Sequence, residues 1–195
     1  MKDCQLKDKL KAGEVVLGTW TVISSPTLTE IMGSSGLDFI IIDHEHGPFN
    51  FDTSENMIRA AENVDCTPLI RVPENNQSYI LRALEIGSHG ILIPQIENKK
   101  EASYAVDSIY YSPKGNRGVS AFTRASNYNA MGVKGRNIAV NDKILSIEYP
   151  LVCHLIMSET FSVGATPQPI RKFSGRTILS RQLCYSTLPP FKTLV

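Results

Sequence analysis

Between Leu37 and Asn50 the chain reads LDFIIIDHEHGPFN. Four apolar residues, Phe39, Ile40, Ile41 and Ile42, run without alternation into four ionisable ones, Asp43, His44, Glu45 and His46, before Gly47 and Pro48 turn the chain. An apolar run with no period of two has no solvent-facing side. The strand it forms must be covered on both faces, as in a parallel sheet flanked by helices. In such sheets and barrels, ligands collect at the carboxyl ends of the strands. The charge cluster therefore falls where chemistry is done.

The same pattern recurs along the chain. After a short polar helix around Leu6 to Lys11, Val15 to Trp20 reads as a strand. Ser25 followed by Pro26 predicts a helix start, with Leu28, Ile31 and Met32 as its apolar side and Gly33 and Gly36 as its stop. Beyond the opening stretch, Asp52 with Glu55 has the spacing of a capping box ahead of Met57, Ile58, Ala61 and Val64. Pro68 to Val72 is a third strand, followed by a helix from about Asn76 to Gly87. Gly90 to Gln95 is a fourth, and Asn98 with Glu101 repeats the capping-box spacing before Ala102, Ala105, Val106 and Ile109.

Polar residues end these strands in step. Trp20, Asp43, Arg71 and Gln95 are 23, 28 and 24 residues apart, an interval that suits one strand-helix unit and places all four on one rim. The predicted fold is α/β: a TIM (β/α) barrel, with four to five recognisable βα units and an irregular C-terminal tail. A complete eightfold barrel needs about 250 residues, more than the 195 present. The predicted division is therefore 1–130 as the N-terminal part of a barrel and 131–195 as a divergent segment. Residues 112–132, SPKGNRGVSAFTRASNYNAMG, read as a long loop, with Arg117 and Arg124 as solvated charges.

A net charge of +1 supplies no field for nucleic acid or an anionic membrane. Cys4, Cys66, Cys153 and Cys184 form no C-x-x-C pair, which argues against a zinc knuckle or disulfide framework. No apolar run approaches a membrane span, and the charged N-terminus lacks the apolar core of an export signal. The expected setting is cytoplasmic, with neither nucleic acid nor membrane as partner.

Among the strand-end residues, His46 and Asp43 form the first candidate pair. A carboxylate beside an imidazole fixes its tautomer and raises its basicity, making a general base near neutral pH. The alternative is that Asp43 caps the turn and His46 bonds backbone. Arg71 could clamp a carboxylate or an enolate with two N–H groups, or pair with Asp43 or Glu45; the two are compatible. Trp20 and Gln95 are candidate substrate contacts, Gln95 alternatively making a rim hydrogen bond. His44 and His46 form an H-x-H, a zinc-holding pattern in some barrel hydrolases. That reading needs further histidines, and only His89, expected at the opposite rim, and His154 remain.

The motifs GTW (18–20), GLDFIIIDHEHGP (36–48), PLIRVP (68–73), ALEIGSHGILIPQIENKKEA (83–102) and YYSPKGNRGVSAFTRAS (110–126) together resemble the HpcH/HpaI aldolases. These are class II, metal-dependent aldolases of 2-oxo-3-deoxy acids such as hydroxy-oxo-heptanedioate and deoxy-glucarate. The resemblance implies a TIM barrel in a homo-oligomer, a trimer or hexamer, cleaving a 2-oxo-4-hydroxy acid to pyruvate and an aldehyde. It implies that His46 is the catalytic histidine, Asp43 its supporting acid, and Arg71 the holder of the pyruvate carbonyl and enolate. It further implies a divalent metal (Mg2+, Mn2+ or Co2+) held by a glutamate ending the fifth strand and an aspartate ending the sixth. SIE at 146–148 makes Glu148 the candidate for the first, with Glu159 as the alternative. No aspartate follows Asp142, so the second ligand has no counterpart and metal binding is expected to be weak or lost. The sequence expectation is a family member altered or truncated after about residue 130. It is either an active lyase or an impaired, oligomer-forming remnant.

Overall fold

The computed structural model describes residues 5–129 and, beyond them, the backbone of three strands. Strands β1 (Leu17–Thr21), β2 (Phe39–Asp43), β3 (Thr67–Arg71), β4 (Gly90–Ile93) and β5 (Ile144–Tyr149) lie side by side in chain order, all parallel. β6 (Cys153–Met157) runs antiparallel along β5, and β7 (Lys192–Thr193) pairs parallel with β1 at the other edge. Five α-helices are described, α1 (Gln5–Lys11), α2 (Pro26–Ser34), α3 (Phe51–Asn63), α4 (Gln77–Glu85) and α5 (Lys99–Ile109), with a 3-10 segment at Arg124–Asn129. Strand order that follows chain order without reversal is the winding of a barrel, not of a doubly wound sheet.

All residues of β2, β3 and β4 are buried, as unalternated apolar runs require. Their side chains still point to two faces. Ile42 and Ile70 pack with Met57 and Ile58 of α3 and Ile80 and Leu84 of α4 on the helix side, and Ile40 meets Ala61 and Cys66 there. Each such side chain contributes on the order of 2 kcal/mol. Phe39, Ile41 and Leu69 face the other way, where Leu6 and Leu10 of α1 join them. Continuing that period of two, Asp43 and Arg71 belong to this inner face. Gly18, opposite Phe39 in the register, leaves room for that ring, which a Cβ would strike. Helix α1 sits at the amino end of the inner face: Lys9 Nζ donates to Asp38 Oδ1 at 2.5 Å, and Asp38 Oδ2 accepts from Leu17 N at 2.7 Å.

The helix starts follow the sequence signals with one exception. Ser25, Asn76 and Asn98 cap α2, α4 and α5, accepting from Leu28 N, Ser78 N and Glu101 N. For α3 the cap is Asn50, which accepts from Thr53 N at 2.7 Å, two residues before the expected Asp52. Glu55 instead pairs with Arg59 on the exposed face. In α2 the expected apolar residue Ile31 is 60% exposed. Gly33 faces inward instead, against Val64 and Cys66, so the contact is made by close approach.

The largest departure concerns the loop arginines, which are not solvated. The Arg117 side chain is fully buried, pairs with Glu85, and lies over the Tyr111 ring at 4.7 Å. Arg124 Nη2 donates to Glu62 Oε2 at 2.5 Å, and His89 Nε2 lies 2.7 Å from Glu62 Oε1. Glu62 and Glu85 stand in the last turns of α3 and α4, where a helix dipole disfavours negative charge. The loop supplies the cations that offset it. Burial would raise the Glu62 carboxyl, but the His89 hydrogen bond and the Arg124 bond and charge bring it down to about 2. His89 lies just before β4, so this cluster braces the rim opposite the carboxyl ends of the strands. Apart from the three strands, the expected divergent segment 131–195 falls outside the described residues.

Candidate active site

At the ends of β2 and β3, register pairing sets Asp43 opposite Arg71. Arg71 Nε donates to Asp43 Oδ1 at 2.8 Å and Nη2 to Oδ2 at 2.6 Å, a two-pronged contact between buried groups. Asp43 Oδ1 also accepts from the backbone N–H of Glu45 at 3.0 Å and of His46 at 3.2 Å. Burial alone would raise the Asp43 carboxyl. The Arg71 bond and charge, with the two N–H groups, outweigh it and hold the group below the usual carboxylate range.

Around this pair the other strand ends close in. Arg71 Nη1 lies 3.0 Å from Glu45 Oε2, and its guanidinium stacks over the Trp20 ring at 4.3 Å. Gln95, at φ +56°, donates from Nε2 to Glu45 Oε1 at 3.3 Å. His46 Nε2 lies 3.9 Å from Glu45 Oε2, with its side chain 68% exposed. Thus Trp20, Asp43, Arg71, Gln95 and His46, the five strand-end candidates, form one connected group on one rim.

Of the two readings of Asp43 from sequence, the contacts match the one in which it caps the turn, and Arg71 pairs with both Asp43 and Glu45. The Asp43 carboxylate accepts from the His46 backbone N–H and from Arg71 and does not reach the His46 imidazole; the acid beside that imidazole is Glu45. Period two explains this. Asp43 continues the inner face of β2, whereas His46 belongs to the turn beyond it. Glu45 joins Arg71, Gln95 and His46, a role the sequence showed only as a possible Arg71 partner. The histidines of the H-x-H also part company: His44 Nε2 is 2.8 Å from Ser54 Oγ, away from His46.

Pairing of Ile147 with Ile93 carries Glu148 one residue beyond the end of β4, to this same rim. Glu159 lies outside the described residues. Among the described residues, no group of three or more His, Cys, Asp or Glu side chains is gathered to hold a metal. Asp43 and Glu45, committed to Arg71, are not a ligand pair. No described helix is long and apolar enough to cross a membrane.

A parallel sheet wound in chain order, with an acid-guanidinium centre at its carboxyl rim, defines a (β/α)-barrel protein. The chain belongs to the HpcH/HpaI aldolase/citrate lyase family, whose model matches residues 17–152, past the last of the motifs at 110–126. It is 37% identical over 179 residues to the 5-keto-4-deoxy-D-glucarate aldolase of Escherichia coli O139:H28, covering 92% of this chain and 69% of that protein. Among solved structures, it resembles an HpcH/HpaI aldolase/citrate lyase family protein from Burkholderia cenocepacia J2315, with TM-score 0.68 and 27% identity over 73% of this chain. The HpcH/HpaI aldolase of Desulfitobacterium hafniense DCB-2 gives the same TM-score and identity over 74% of this chain. The chain spans 58% and 56% of those two structures. The fold is that of a TIM barrel, represented here by four βα units and the strand that follows.

Proposed function

We propose that this rim serves carbon-carbon bond cleavage: retro-aldol breakdown of a 2-oxo-4-hydroxy acid to pyruvate and an aldehyde. The observation that carries it is that Arg71 Nη1 and His46 Nε2 both approach one oxygen, Glu45 Oε2, at 3.0 and 3.9 Å. A cation and a base within reach of one carboxylate are within reach of one small keto acid. His46 takes the proton of the C4 hydroxyl, the C3–C4 bond breaks to release the aldehyde, and its electrons pass to the C2 oxygen as an enolate. Arg71, fixed by Asp43, stabilises that oxygen, and protonation at C3 completes pyruvate. Trp20 and Gln95 shape the site by holding Arg71 and Glu45. The match to a 5-keto-4-deoxy-D-glucarate aldolase supports a sugar-acid substrate class.

A divalent cation belongs to the proposal. When bound, it supplies Lewis-acid stabilisation of the enolate oxygen. Glu148, brought to the rim by its strand, would hold it. Among the described residues no group of three or more His, Cys, Asp or Glu side chains joins it there, and Mg2+ or Mn2+ needs several oxygen ligands. The test is pyruvate release from a 2-oxo-4-hydroxy acid with added Mg2+, Mn2+ or Co2+. Turnover lost in His46→Ala establishes the reading. No turnover, with no Mn2+ binding by calorimetry, favours the non-catalytic, oligomer-forming alternative.

A further inference from the structure

The proposed chemistry uses His46 and leaves His44 unassigned, yet the His44 ring is the more tightly held of the two. Its Nε2 lies 2.8 Å from Ser54 Oγ, and Ser54 Oγ donates to the Asn50 carbonyl at 2.9 Å. A hydroxyl has one hydrogen. With that hydrogen given to Asn50, the Ser54 oxygen accepts, so the network assigns the His44 proton to Nε2. Phe49 stacks on the imidazole with centroids 5.6 Å apart, and Phe51 lies tilted against it at 5.1 Å. Arg82 covers the Phe51 ring at 4.2 Å. Burial lowers the His44 pKa to about 4, with the Asp43 charge opposing, so the ring is neutral near pH 7.

These contacts bear on the neighbouring base. With its imidazole largely exposed, His46 takes its position from the backbone of the turn. One end of that turn is fixed by Asp43, whose carbonyl accepts from Gly47 N at 2.9 Å and whose carboxylate accepts from Glu45 N and His46 N. The other fixed point is His44, whose N–H donates to Arg71 O at 2.9 Å and whose ring reaches the capping turn of α3. We propose that His44 is a positioning residue, an uncharged clip between Ser54, Phe49 and Phe51 that fixes the turn bearing Glu45 and His46. The proposal rests on the reading of His46 as the base.

The experiment compares His44→Ala, His44→Phe and His44→Gln in the full chain. Phe keeps the ring stack and removes the donor; the Gln side-chain N–H can reach the same Ser54 oxygen. Loosening the base lowers kcat about tenfold in Ala, with KM changed less than about twofold, because the loss is one of geometry at the reacting atoms. Phe is expected to remain slow and Gln to recover most of the rate. A Phe variant as fast as the unsubstituted chain, or a Gln variant as slow as Ala, overturns the proposal. If the unsubstituted chain releases no pyruvate, the aldolase reading fails by itself and the clip is read by amide hydrogen exchange. Protection at Glu45, His46 and Gly47 lost in Phe and restored in Gln supports it; protection equal in all variants overturns it.

Discussion

Asp43 and Arg71 meet through two parallel hydrogen bonds of 2.8 and 2.6 Å, and both residues are less than a tenth exposed. Removing one member of such a pair leaves a buried charge facing its former partner. Asp43→Asn keeps an oxygen for the turn N–H groups and removes the charge. It should cost about 2 kcal/mol at pH 7, below the usual range because Glu45 remains on Arg71. The Asp43 carboxyl is held below its ordinary 3.8. Its stabilisation is thus full above that value and lost as pH falls through the lower folded value. Urea titrations should show a smaller acid-side loss in Asp43→Asn than in the unsubstituted chain, because the Glu62 share is common to both.

Glu45 occupies the Arg71 nitrogen that a keto acid would use. In Glu45→Gln the competing charge is gone, so pyruvate should bind severalfold more tightly, on the order of 1 kcal/mol. Catalysis should slow, because His46 loses its neighbouring carboxylate. Calorimetry with pyruvate and steady-state kinetics measure the two separately; weaker pyruvate binding would refute the assigned competition.

Glu62 offers a pH test at the opposite rim. Its carboxyl is near 4.5 unfolded and about 2 folded, so its contribution is complete above pH 4.5 and drains away between 4.5 and 2. The span corresponds to roughly 3 kcal/mol. Glu62→Gln should therefore be destabilised at pH 7 and nearly equal to the unsubstituted chain at pH 2, as read from thermal midpoints across that range.

Gly87 and Gly36 share φ +99°, but only Gly87 has the Arg124 side chain where a Cβ would stand. Gly36→Ala should show the backbone cost alone, about 1 kcal/mol, and Gly87→Ala should exceed it by another 1–2 kcal/mol. Equal losses in urea unfolding would show that Arg124 yields freely.

The parallel sheet was legible because Phe39 to Ile42, Pro68 to Ile70 and Ile91 to Ile93 have no polar residue to turn outward. The rim was legible from the even spacing of Trp20, Asp43, Arg71 and Gln95. Both signals are local and periodic. The Arg117–Glu85 and Arg124–Glu62 pairs were illegible because their partners lie 32 and 62 residues back, and a loop with no period gives no sign of where it docks. The cap of α3 was misplaced because Asn50 and Asp52 both suit a helix start, and only backbone geometry separates them. The division at residue 130 remains part of the proposal.

The Glu62–His89–Arg124 brace also has a bearing on synthesis. Its members leave the ribosome in order, the acid first, the imidazole next and the Arg124 guanidinium last. Until residue 124 is made, the Glu62 carboxylate lacks the second of its two partners. The loop then acts as the late clasp that fastens what was built before it.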